Sequence, residues 1–201
     1  MFVVTADQQA STRVGDRVES LMHSLEPWAT TWADAVALPI ERTVGDEIQV
    51  VLHTAPAALD LALTLIRARE WSVGIGAGPA EIPLGASARA SSGAAFVAAR
   101  RAVERAKLKS EPVPLVIAGV HDGAAEAATA VVQLLASVVR RRSHAGWEVA
   151  EMLTGGATHR DVAARLKISQ QAVSQRVASA MIEEERRALP VAVRLIEAAG
   201  R

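Results

Sequence analysis

Cysteine and tyrosine are absent from this chain, and aromatic residues make up only 3% of it. Without cysteine there can be no disulfide, no thiolate metal site and no thiol nucleophile. Lysine is scarce, at positions 107, 109 and 167 only, and arginine supplies the other basic residues, a bias typical of GC-rich coding. The opening stretch MFVVTADQQAST has neither a basic start nor a long apolar core, so no secretory leader is expected. No uninterrupted run reaches the roughly 18–20 apolar residues that a membrane span requires. These absences lead to the expectation of a cytoplasmic protein with no membrane partner. Half of the 201 residues are hydrophobic, which suffices for one full domain and a small second one.

Formal net charge is zero, from 22 basic and 22 acidic residues, but the charge is not evenly spread. Residues 1–139 carry 11 basic against 15 acidic residues, a net −4, and residues 140–201 carry 11 against seven, a net +4. A protein that binds an acidic polymer needs a basic face rather than a basic total. Any nucleic-acid surface is therefore expected in the last third, although a run such as Arg140-Arg141-Arg142 also suits a solvated helix end.

Hydrophobic periodicity divides the chain into alternating elements. Phe2–Ala6 reads as a first strand with Asp7 at its end, and Val14, Val18, Leu21, Met22 and Leu25 recur at helical spacing over 11–25. LPIERTV and EIQVVLH flank Gly45-Asp46 as a hairpin. A helix begins at Pro56, a third strand covers Trp71–Ala77, and a Gly/Ala/Ser/Pro-rich loop fills 78–92. A helix over 93–107 and a strand over 114–120 follow. Hairpin strands mixed with crossover helices predict an α+β, ferredoxin-like sandwich over 1–123. Residues 124–143 predict one long linking helix, apolar nearly all round, suited to the sheet or a second subunit. Ser143–Gly146 reads as a hinge, and 144–201 as an all-α unit whose last helix Pro190 should kink or break. The 124–142 helix and the tail Val191–Ala199 are the candidate dimer surfaces.

The segment after Gly155-Gly156 carries the strongest local signal. Thr158 caps a helix over His159–Leu166, Lys167-Ile168 makes a tight turn, and Ser169 caps a second helix opening with Gln170 and Gln171. Val162, Ala163, Leu166, Ile168, Val173 and Val177 face inward, and Ser174, Gln175 and Arg176 are expected to face out. Such a second helix places its first turns against base edges, where glutamine pairs bidentately with adenine. His159, Arg160, Arg165 and Lys167 are placed for phosphates. RDVAARLKISQQAVSQRV resembles the DNA-reading helix-turn-helix of LuxR-type response regulators and sigma-type promoter readers; Ala163, Ile168 and Val173 match, and Lys167 stands where glycine is usual. The resemblance implies a dimeric, sequence-specific transcription regulator that binds double-stranded DNA.

Asp7 and Asp46 form a second constellation, since a strand end and an adjacent hairpin tip can bring two carboxylates to one hard cation. Each alone is more simply a turn former. TADQQAS, RTVGDEIQVVL, WSVGIGAG and SGAAFVAARRAVE, in that order, resemble the SatD-like family of small bacterial proteins, which often carries a C-terminal helix-turn-helix. More distantly, residues 2–120 are similar to class III nucleotidyl cyclases and GGDEF enzymes. That likeness implies Mg²⁺ on Asp7 and Asp46, phosphates along Gln8, Gln9, Ala10 and Ser11, a base-selecting Arg42, and a transition-state arginine at Arg101. The asparagine expected four residues before Arg101 is Val97, and loss of such a donor slows phosphoryl chemistry by ~100-fold or more. The resemblance thus implies a nucleotide or phosphate sensor rather than an enzyme, with an active Mg²⁺-dependent cyclase or phosphotransferase as the alternative. The glycines of GIGAG lack a following GKS/T and fit close strand packing better than a phosphate loop. The five histidines show no zinc-ligand spacing.

Overall fold

A computed structural model describes residues 1–43 and 45–201, without the side chains of Thr12 and Val14. Val44, read as part of the first hairpin strand, and the inward placing of Val14 therefore lie outside the described residues. The fold is α+β, built on a five-stranded mixed sheet of order β2-β3-β1-β4-β5. The strands are β1 (Phe2–Gln8), β2 (Val36–Arg42), β3 (Glu47–Leu52), β4 (Trp71–Ala77) and β5 (Leu115–Gly119). β1 pairs antiparallel with both β3 and β4, β2 pairs antiparallel with β3, and β5 runs parallel to β4.

One face of the sheet presents Val4, Ala6, Ile48, Val50, Val73, Ile75, Leu115 and Ile117 to the main core. That core is covered by α2 (Val18–Ser24), α3 (Glu26–Thr31), α4 (Ala55–Ala68), α6 (Asp122–Arg141) and α10 (Ile182–Ala199). The opposite face receives α5 (Ala94–Ala106), whose Ala95, Ala99 and Ala102 lie directly over Gly74 and Gly76. Small residues on both sides let a helix backbone touch a strand backbone, so the GIGAG glycines serve packing.

Four expectations need correction. The 11–25 helix is two pieces, α1 (Ser11–Val14) and α2, parted at Gly15 because Asp16 recaps the chain by accepting the Val18 N–H at 2.9 Å. Asp7 lies inside β1 rather than beyond it. Ser143 is no hinge: its hydroxyl caps α7 (His144–Thr154), in which Gly146 is buried against Ala180. Pro190 sits within α10 without ending it; it is exposed, so the backbone carbonyl it leaves unpaired can turn to water.

The two faces considered for a dimer pack largely on each other. Ala128, Val132, Leu135, Ala136 and Val139 of α6 share the main core with Ala192 and Ile196 of α10. α6 is, among the described residues, the one helix long and apolar enough to cross a membrane, and Ala128, Val132, Leu135, Ala136 and Val139 on it are buried in the core.

α6 also closes the free edge of β5. The Thr129 hydroxyl accepts the Ile117 N–H at 3.0 Å and donates to the Ile117 carbonyl at 3.1 Å. Gln133 donates to the Leu115 carbonyl at 3.1 Å, and Arg101 to the Gly119 carbonyl at 3.1 Å. Side chains thus occupy positions that another strand would take. Thr129→Val keeps the shape but strands a buried N–H. It should lower stability by about 1–3 kcal/mol, read as an earlier urea midpoint at constant slope; an unshifted midpoint would mean the edge does not need the hydroxyl.

Candidate functional site

The first candidate surface is formed by α7, α8 (His159–Leu166) and α9 (Gln170–Ser179). Val149, Val162, Ala163, Val173 and Val177 make a core of their own. Local chemistry fixes each helix start. Thr158 Oγ1 accepts from the Asp161 N–H at 3.2 Å, and Asp161 Oδ2 accepts from the Thr158 N–H at 2.9 Å, a reciprocal cap. The Thr158 hydroxyl and N–H together hold the Asp161 carboxyl below its ordinary pKa. Lys167 takes the left-handed conformation at φ 54°, as the turn demands, and the Ile168 N–H returns to the Ala163 carbonyl at 3.1 Å. Ser169 Oγ then caps α9 through the Ala172 N–H.

On α9, Gln170, Gln171, Ser174 and Gln175 are exposed. Among the described residues no hydrogen bond uses the amide of Gln170, Gln171 or Gln175, whereas the Ser174 hydroxyl donates to the Gln170 carbonyl at 3.1 Å. His159, Arg160, Arg165 and Lys167 are exposed, and none of the salt bridges among the described residues involves them. Arg176 departs from expectation: only a third of its side chain is exposed, and its Nη1 reaches Glu148 Oε2 at 3.3 Å, tying α9 to α7.

The residues singled out in the N-terminal part are divided between two places. Asp7 points to the α5 side, and its carboxylate meets Lys107 Nζ at 2.9 Å. It lines a cavity of about 490 Å³ with Gln8, Gln9 and Ala10, the 107–114 segment and Arg140. Gln8 is not available to a ligand: its amide holds Gly15 O at 2.6 Å and the Arg17 N–H at 2.8 Å, which shapes the loop carrying Ala10 and Ser11. Gln9 donates to the Ser72 hydroxyl at 3.1 Å. Asp46 does not line this cavity; its carbonyl accepts the Gln8 N–H at 3.1 Å. Arg42 is spent on the Gly45 carbonyl and on Asp16, each at 2.7 Å. Arg101 lies toward the opposite end of the sheet, bonded to Gly119 O and Asp122 and lining a separate groove of about 670 Å³ beside Phe96 and Gln49.

Within one chain a divalent ion at Asp7 would have to displace Lys107. The Lys107 ammonium already neutralises Asp7, and no group of three or more metal-ligating side chains occurs among the described residues. Burial works against the charged Lys107, but the hydrogen bonds it donates to the carboxylates of Asp7 and Glu104 outweigh it and raise its pKa above the ordinary lysine value.

Sequence reasoning missed the junction between the sheet and helices α7 to α9. Trp147 of α7 lies under two guanidinium groups, Arg67 at 3.8 Å and Arg142 at 4.4 Å. Arg67 also pairs with Glu151 at 2.7 Å. Arg142, expected at a solvated helix end, is buried; it donates to the Ala180 carbonyl at the end of α9 and pairs with Glu185 of α10. A tryptophan five residues beyond an arginine was the available signal, but charge runs mark solvated ends more often than anchors. No protein-family model, curated protein or solved structure matches this chain.

Proposed function

We propose that the chain is a sequence-specific DNA-binding regulator: α8 and α9 act as a helix-turn-helix, and the sheet-bearing part senses a small ligand. One observation carries the DNA reading. The capped first turns of α9 present three uncommitted glutamine amides, flanked by the cations of Arg160, Arg165 and Lys167 with no ion-pair partner among the described residues. Amides suit adenine edges, and cations beside them suit phosphates. Arg176 is left out of the base-reading set because Glu148 holds it. A ferredoxin-like reading of the sheet is supported by the order β2-β3-β1-β4 with helices between β1 and β2 and between β3 and β4. Two copies would serve two half-sites about one helical turn apart, which makes a homodimer the working assembly. The ligand reading invokes no step through Mg²⁺, because Lys107 stands beside Asp7.

Selection of genomic or random duplexes by the full chain should enrich one motif. On that motif Gln171→Ala should weaken binding by about 5- to 100-fold with unchanged thermal stability. Lys167→Ala should instead weaken all sequences alike and reduce the salt slope by about one. If no motif is enriched, or if Gln171→Ala binds the selected duplex normally, the DNA reading is wrong.

A further inference from the structure

The cavity at the end of β1 carries more positive charge than its own carboxylates use. Its two acids are engaged: Asp7 by Lys107, and Glu111 by Arg105 at 2.7 Å and Gln133 at 2.7 Å. Lys109 and Arg140 line the same cavity, and none of the salt bridges among the described residues includes either of them. The volume, about 490 Å³, lies within the range of small-molecule sites, about 300–1,000 Å³. The Ser72 hydroxyl and the Gln9 amide add neutral polar contacts to the wall.

Arg140 comes from the last turn of α6, and that turn is connected in three directions. Its carbonyl accepts from the Arg69 guanidinium at the end of α4. Two residues on, Arg142 anchors the carbonyl that ends α9 and stacks over Trp147. Ser143 then caps the first helix of the reading unit. A side chain in the cavity and an anchor of the reading helix thus sit on one short stretch of backbone.

We propose that this cavity binds a small phosphate-bearing anion between Lys109 and Arg140, and that the last turn of α6 transmits its binding to the reading helices through Arg142 and Trp147. The proposal rests on the reading of the sheet-bearing part as a ligand sensor and names its site, which shares Asp7, Gln8, Gln9 and Ala10 with the expected set but is not lined by Arg42, Asp46 or Arg101. A guanidinium offers a planar fork of donors that matches phosphate oxygens, and an ammonium adds a point charge. Binding at Arg140 can alter α9 only if it changes the position or freedom of the α6 end, so a signal at Trp147 is required.

Titration calorimetry of the full chain with inorganic pyrophosphate, ATP and GTP tests the site. At least one should bind with a stoichiometry of one per chain. Lys109→Gln combined with Arg140→Gln should weaken it by about tenfold or more while the melting temperature of the free protein is kept. Tryptophan emission should change on binding, and the change should vanish in Trp147→Phe. Absence of binding by all three probes, or equal binding by the double variant, overturns the site. Binding with an unchanged Trp147 emission overturns the transmission. Neither readout involves DNA, so failure of the DNA reading is seen separately, in the duplex selection and Gln171→Ala.

Discussion

Replacing Gly76 by alanine is expected to destabilise the fold by about 3 kcal/mol or more, the upper part of the range for overpacked cores. A Cβ at this position would lie 2.1 Å from the Ala95 carbonyl oxygen and 2.3 Å from the Ala99 nitrogen. Both atoms belong to the α5 backbone, so no rotamer change relieves the clash. The helix must lift from the strand or the strand must leave its register, and either opens the contacts of Ala95, Ala99 and Val3. For a chain of this length, 3 kcal/mol corresponds to a fall of roughly 6–12 °C in melting temperature. Gly123→Ala supplies the contrast. Nothing lies within 4 Å of its added Cβ, and the position is in the first turn of α6, so the substitution should be neutral or mildly stabilising. Thermal melts of the two variants side by side decide the matter. A Gly76→Ala protein that melts with the wild type would show that α5 does not need backbone contact with β4.

What could be read in advance was chemistry acting over a few residues. The strand Trp71–Ala77 stands between a turn and a glycine-rich loop, and its apolar run leaves no room for a full helix. Thr158 and Ser169 announce their helices because a cap needs only its own hydroxyl and an N–H three residues on. Position 167 could be recognised as a turn although lysine occupies it, because the apolar positions on either side fix the spacing. Distant partners were beyond such reasoning. Asp7 looked like half of a cation site, yet Lys107, one hundred positions later, arrives beside it because α5 crosses β1 and ends there. Arg101 was expected as a transition-state arginine, and β5 comes to lie next to it with an open carbonyl at Gly119 that it fills. Arg176 follows the exposed side of α9 by helical spacing, but α7 supplies Glu148 at that edge. In each case the side chain's use is decided by a neighbouring element that local periodicity cannot place.

Arg142→Ala is expected to be the most damaging substitution at the junction, with a loss of about 3–5 kcal/mol, the range for breaking a buried ion pair from one side. The Arg142 side chain is 2% exposed and its partner Glu185 is 16% exposed. Truncation leaves that carboxylate in a poorly solvated place, removes both donors from the Ala180 carbonyl, at 3.2 and 3.1 Å, and uncovers one side of Trp147. By comparison the exposed pair Arg186–Glu183 should contribute less than about 1 kcal/mol. The damage should be local in character as well as large. The anchor joins the end of α9 to the start of α10 and to the end of α6, so amide exchange should accelerate first in α7 to α9, while β1, β4 and α4 keep their protection. Removing Glu185 together with Arg142 should cost less than the sum of the two single losses, because no uncompensated charge remains. If Arg142→Ala instead lowers stability by under about 1 kcal/mol, or if the double variant is strictly additive, the pair is not the anchor. The ion pair and stacking of Arg67, Glu151 and Trp147 would then carry more of the hold between α7 and the sheet-bearing part.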